Sequence, residues 1–268
     1  MVRVRTAHAR YWTLALLLCA TSACTHAGGA GPSRPHSFDR RIDLENRALT
    51  LHLSPAVPIH RDELIVYATG DGGWRGKDVE LFHQLQAWGY AAAGFSASEY
   101  LRDLPGDDGT TTPDLVADDF GAIIDAARGA LSIAAASPVV LVGVSRGADL
   151  AVVAAGQPAL QPQLAGVVAV ALTREEEYVH HHLEPVLPFE LYPYLPQLGD
   201  IPVSVIQSTR DNYLPAQEAR ELFGKDTPRR TLHAVEARNH SFGGARDRLY
   251  STLRTSLAWV EHVGRGRN

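Results

Sequence analysis

A serine hydroxyl attacks a carbonyl group only when a base removes its proton and an acid holds that base in place. Three residues of this chain form such a set. Ser145 stands in Gly143-Val144-Ser145-Arg146-Gly147, directly after the apolar run 138–143 and directly before the helix-patterned stretch 147–155. A G-x-S-x-G run in that setting makes a tight strand-to-helix turn that lifts the hydroxyl clear of its surroundings. Small residues are needed two places either side because strand and helix pass close there. The helix N-terminus adds partial positive charge beside the hydroxyl. Asp211 ends Ser208-Thr209-Arg210-Asp211 after the apolar run 203–207, and His240 lies in Asn239-His240-Ser241-Phe242 after the run 232–236. Ser145 is therefore read as nucleophile, His240 as general base and then acid, and Asp211 as the anion that orients the imidazole. Competing readings are a turn-forming Asp211 beside Asn212, a surface His240, and His233 as the imidazole, although His233 lies inside a strand pattern rather than after it.

Such chemistry also needs hydrogen-bond donors for the oxyanion. One expected donor is the backbone N–H of Arg146. The other belongs to Thr69-Gly70-Asp71-Gly72-Gly73-Trp74, where either Asp71 or Gly72 suits. The same glycines fit a plain turn, and the missing G-K-[ST] argues against a phosphate-binding loop. Asp71, Glu99, Tyr100 and Asp149 are candidate substrate-binding residues. His180-His181-His182 reads as a solvated loop, because three adjacent imidazoles converge poorly on one ion. Glu175-Glu176-Glu177 reads as an exposed acidic face. No metal and no cofactor is implied.

The elements that must position these residues alternate between short apolar runs and amphipathic stretches. Strands are expected at 63–69, 90–95, 138–143, 165–171, 203–207 and 232–236, with a further strand or hairpin at 41–53. Helices are expected at 78–88, 113–131, 147–155, 216–223 and 246–263, the second capped by Thr112 with Pro113 in its first turn. This alternation specifies an α/β fold: one domain over 41–265, with a mostly parallel sheet and helices on both faces. Residues 173–199, which carry four prolines, break the pattern and read as an inserted lid.

The 268 residues are 45% hydrophobic and 21% charged, with a net charge of −5. Those proportions exclude wholesale disorder and argue against a nucleic-acid surface. The two cysteines, Cys19 and Cys24, fall near the start, so the body has no disulfide framework and no cysteine nucleophile. Arg3, Arg5 and Arg10 ahead of the apolar run 11–19, with Thr21-Ser22-Ala23 before Cys24, read as an export signal over 1–23. Cys24 also fits a lipoprotein box, the alternative being simple cleavage. A periplasmic protein, membrane-associated through a lipid anchor at Cys24, is the expectation. Loss of 1–23 leaves 22 basic against 30 acidic residues, a field that favours cationic partners. Residues 24–40 read as a flexible tether.

Thr69-Gly-Asp-Gly-Gly-Trp-Arg75, Gly89-Tyr90, Gly143-Val-Ser-Arg-Gly-Ala-Asp149 and the late Asp211 and His240 loops together resemble the bacterial virulence protein VirJ/AcvB family of the α/β-hydrolase superfamily. The resemblance spans about residues 60 to 262. It implies an exported serine hydrolase acting on aminoacyl-phosphatidylglycerol, chiefly the lysyl form, and a role beside type IV secretion. Two stretches depart from the family pattern. Ser96-Ala97-Ser98-Glu99-Tyr100 stands where the family tends to carry acidic-Ser-Leu-Arg-Tyr, and Arg146 stands where an aromatic residue is more usual. The alternatives to lipid hydrolysis are an esterase for small soluble esters and a noncatalytic adaptor of a secretion system.

Overall fold

The computed structural model describes residues 37–45, 47–56, 62–102, 111–179 and 189–266. The expected export signal, Cys24 and His180 to His182 lie outside them. A hairpin of β1 (Phe38–Asp43) and β2 (Ala48–Ser54) leads into β3 (Leu64–Ala68), α1 (Lys77–Ala87), β4 (Ala91–Phe95) and α2 (Ala97–Arg102). Then follow α3 (Pro113–Leu131), β5 (Val139–Val144), α4 (Arg146–Ala155) and β6 (Leu164–Val170). The two-residue strands β7 (Glu175–Glu176) and β8 (Phe189–Glu190) pair antiparallel, and α5 (Leu191–Tyr194) follows them. The chain closes with β9 (Val203–Ser208), α6 (Ala216–Phe223), β10 (Arg230–Val235) and α7 (Arg246–Arg265). Because β1 begins at Phe38, the last three residues of the expected tether are strand.

Eight strands form one sheet in the order β1-β2-β4-β3-β5-β6-β9-β10. The six from β4 to β10 run parallel, and the β1–β2 hairpin joins antiparallel at one edge. Strands β3, β4, β6 and β9 are buried along their whole length. That is why they read as unbroken apolar runs, with helices covering both faces. Leu64, Val66, Phe120 and Leu150 belong to the core on one face, and Ile65, Tyr67, Phe82 and Leu253 to the core on the other. Helix α7 buries Leu253, Leu257 and Val260 on one stripe, at about 1.5–3 kcal/mol for each such side chain. Helix α3 matches its expected bounds, and Thr112 Oγ1 accepts a bond from Leu115 N.

The chain steps from β3 outward to β4, then returns to the other side of β3 as β5. The strand order reverses there, and an open sheet of this kind binds ligands in the crevice at that reversal. Residues 191–198, expected as part of a lid, are built into the core instead: Leu191, Tyr192, Leu195 and Leu198 are buried. Tyr194 reaches back to α4 with its hydroxyl on Val153 O. Their apolar side chains have no better place to leave water.

Candidate active site

Ser145 holds φ 52° and ψ −124° at the junction of β5 and α4. A side-chain-bearing residue in such a region costs about 1–3 kcal/mol and persists only when its surroundings over-determine it. Here Ser145 N donates to Val170 O at 2.8 Å, while its carbonyl accepts from Ala148 N at 2.7 Å and Asp149 N at 3.1 Å. The flanking glycines are a matter of space. A Cβ on Gly143 would come within 2.1 Å of Gly147 O, and one on Gly147 within 2.3 Å of Ala68 O.

The late loops meet at this turn. Asp211, only 3% exposed, is fixed by bonds from Tyr213 N (2.8 Å) and Leu214 N (3.3 Å) to Oδ1. Its Oδ2 lies 2.7 Å from His240 Nδ1 and accepts from Gln207 Nε2 at 3.3 Å. His240 Nε2 lies 2.8 Å from Ser145 Oγ. The loop carrying His240 is itself pinned: Gly243 N donates to Asn239 Oδ1, Lys77 Nζ to Ser241 O, and His240 N to Asn212 Oδ1. Asn212 is thus more than a turn former. The exposed Tyr213 ring packs roughly perpendicular to the imidazole, with ring centroids 4.8 Å apart. His233 lies on β10, away from the cavity, and burial lowers its pKa.

The glycine turn presses against the elbow. Gly73 N donates to Gly70 O, so Asp71 and Gly72 form the corner, and a Cβ on Gly70 would touch Ser145 Cβ at 3.3 Å. Asp78 in α1 anchors the turn by accepting from Gly70 N and from Tyr67 Oη. Burial raises the Asp78 pKa, opposed by those two bonds. Among the described residues, no partner accepts from the backbone N–H of Arg146, Asp71 or Gly72. These amides border the same cavity as Ser145 Oγ.

The carboxylates expected around the substrate divide. Asp71 lines the cavity, but both its oxygens contact the Arg146 guanidinium, at 2.5 and 3.4 Å. Arg146 also donates to Glu176 (3.0 Å) and Glu177 (3.1 Å) and lies 4.7 Å from the Tyr178 ring centroid. Burial alone lowers the Arg146 pKa, but the bond to Asp71 and the nearby negative charges outweigh it and hold it above the ordinary arginine value. Asp149 is buried at the cavity floor, bonded by Thr173 N and Oγ1. Its pKa is raised by burial and by the charge of Glu176, whose own pKa burial raises.

Glu99 and Tyr100 do not line the cavity. Glu99 accepts from Thr50 Oγ1 of β2, and Tyr100 is fully buried with its hydroxyl on Asp119 and Arg47 over its ring. Helix α2 begins straight after β4 and turns both side chains away from the crevice. Nor are the three consecutive glutamates one exposed face. Around β7 their burial alternates, so Glu176 is buried between exposed Glu175 and Glu177. Strand periodicity was the available signal for that, and it covers too few residues to stand out.

The cavity has a volume of about 1300 Å³ and carries seven acidic against four basic side chains in its lining. An imidazole held on one nitrogen by a buried carboxylate and aimed with the other at a serine can take that serine's proton. Nearby free amides suit a developing oxyanion.

The fold is shared with known enzymes. Est1E from Butyrivibrio proteoclasticus superposes with a TM-score of 0.61 at 14% identity, covering 83% of this chain and 98% of that one. The Est2 esterase of Thermogutta terrifontis gives 0.56 at 20% identity, over 85% and 91%. Esterase Pf2001 of Pyrococcus furiosus gives 0.58 at 15%, over 83% and 90%. The protein therefore has the α/β-hydrolase fold. Residues 62–183 match the family model for the bacterial virulence protein VirJ, so the resemblance read in the sequence holds over that segment. No curated protein matches the chain.

Proposed function

We propose that this protein is a serine ester hydrolase whose substrate is the aminoacyl ester of a phospholipid headgroup, the lysyl ester of phosphatidylglycerol being the leading case. The observation that carries the hydrolase reading is the relay of 2.8 Å from Ser145 Oγ to His240 Nε2 and 2.7 Å from His240 Nδ1 to Asp211 Oδ2, at a serine with positive φ. Ser145 Oγ attacks the ester carbonyl as His240 takes its proton, and Asp211 holds the imidazolium that forms. The negative oxygen of the tetrahedral intermediate lies at the N–H of Arg146 and an amide of the glycine turn. His240 then hands the proton to the departing glycerol oxygen. Water, activated by the same imidazole, releases the amino acid and restores Ser145.

The excess of acidic side chains in the cavity lining supports a substrate whose acyl group carries an ammonium ion. Export to the periplasm, with lipidation at Cys24, would hold the enzyme beside a membrane-borne ester. Several lipid chains together give stable anchoring. Among the described residues no helix is long and apolar enough to cross a membrane. Contact with type IV secretion components belongs to the same proposal.

The test is incubation of purified protein with lysyl-phosphatidylglycerol vesicles, followed by chromatography of the lipid and assay of free lysine. Release by the wild type and none by Ser145→Ala is the expected outcome. Turnover of p-nitrophenyl acetate without lipid cleavage favours a small soluble ester. A folded protein inert toward both favours the noncatalytic adaptor.

A further inference from the structure

We propose that the Arg146 side chain is a positioning device: its ion pair with Asp71 locks the two halves of the oxyanion hole together, and Glu176 and Glu177 hold the guanidinium in place. This rests on the ester-hydrolase reading and assigns to two side chains a task beyond their backbone amides.

The geometry is specific. One donor belongs to Arg146 at the start of α4, the other to the Asp71-Gly72 corner after β3. They follow the paired strands β3 and β5, whose ladder runs to Ala68 and Gly143. Beyond it, no backbone hydrogen bond among the described residues closes the gap between Asp71 and Arg146, 75 residues apart. The guanidinium spans it. Its Nε lies 2.5 Å from Asp71 Oδ1 and one terminal nitrogen lies 3.4 Å from Oδ2, a two-point grip that restricts rotation as well as distance. The fork would pivot if these were its only contacts. Instead the buried Glu176 takes one terminal nitrogen, the exposed Glu177 takes the other, and Tyr178 lies against the guanidinium. The cluster thus ties three separate segments, 71–72, 146 and 176–178, around one charge. A misplacement of about 1 Å in such a site costs on the order of 100-fold in rate.

The same arginine could instead bind substrate through its charge, or merely hold the fold together. Steady-state kinetics separate positioning from substrate binding, and thermal unfolding of each variant separates both from a purely structural role. Arg146→Met keeps the backbone donor and much of the side-chain length but removes the fork. Asp71→Asn weakens the grip from the exposed side, where an ion pair adds little to stability, so that variant keeps its fold. Both are assayed on p-nitrophenyl butyrate and for the second-order rate of Ser145 labelling by a fluorophosphonate. The expected result is a fall in kcat and in labelling rate of about 10- to 100-fold for Arg146→Met and a smaller fall for Asp71→Asn. KM should change little and the acid limb of the pH–rate profile should stay in place. Arg146→Lys, a point charge that grips one oxygen at a time, should recover only part of the loss. A wild type that reacts while both variants retain its kcat and labelling rate overturns this inference alone. A rise in KM at unchanged kcat also overturns it, in favour of substrate binding. A wild type inert to ester and fluorophosphonate overturns the hydrolase reading as well.

Discussion

Replacing Asp211 by asparagine tests the relay at its most buried point, and the structure dictates what the new amide must do. Two backbone N–H groups, of Tyr213 and Leu214, converge on Asp211 Oδ1. The asparagine oxygen must occupy that position, because the opposite rotamer would face an NH2 group against two buried donors, each costing about 1–3 kcal/mol. Nδ2 therefore takes the place of Oδ2, 2.7 Å from His240 Nδ1, and donates to it. Gln207 opposes this choice, since its amide nitrogen points at the Oδ2 position and is held there by Leu214 O at 2.6 Å, but it is one donor at 3.3 Å against two backbone donors. With Nδ1 accepting, the imidazole carries its proton on Nε2, which faces Ser145 Oγ at 2.8 Å and can no longer accept one. The wrong tautomer costs about 10⁴ in kcat, or roughly 5.5 kcal/mol of barrier at about 1.4 kcal/mol per decade. Stability should fall much less, since only the bond from Gln207 is lost. The assay is kcat on p-nitrophenyl butyrate and the fluorophosphonate labelling rate, with thermal unfolding as the control. An asparagine variant within tenfold of wild type in both rates would refute the reasoning, because it would mean that Asp211 does not set the tautomer.

Ser145→Gly should abolish turnover yet unfold at a higher temperature than Ser145→Ala, because glycine relieves the strain at φ 52° while alanine keeps it. A gain of about 1 kcal/mol corresponds to roughly 2–4 °C for a domain of this size, and equal midpoints for the two variants would count against strain at the elbow. Asp149→Asn tests the buried acidic pair. Burial and Glu176 raise the Asp149 pKa, with the Thr173 bonds and Arg146 acting in the opposite sense. The stabilising contribution is therefore complete below the ordinary carboxylate range and is lost as pH rises through the elevated folded value. The variant should gain on wild type in thermal midpoint as pH increases, and parallel midpoint curves would show that Asp149 ionises freely in the fold.

Much of this molecule is written in local pattern. Thr112 and Pro113 mark the start of α3, and the unbroken apolar runs announce strands buried on both faces. Gly143, Ser145 and Gly147, between an apolar run and a helix pattern, mark the tight strand-to-helix turn. Ser145, Asp211 and His240 could be singled out because each follows an apolar strand, and strands that run parallel deliver their C-terminal loops to one edge. The sequence could not say which side chains point into the crevice. Glu99 and Tyr100 follow β4 as promisingly as Ser145 follows β5, yet α2 turns them toward β2 and Asp119. Glu176 sits inside a run of three acids that looks solvated, yet in the fold it pairs with β8 and is buried against Arg146. Residues 191–198 lacked a clear period and belong to the core. The guanidinium of Arg146 became a junction through contacts from segments 30 and 75 residues away. Local sequence determines torsions and periodicity. Orientation across the chain is decided when helices and loops compete to bury apolar surface, and that competition exists only in the folded molecule.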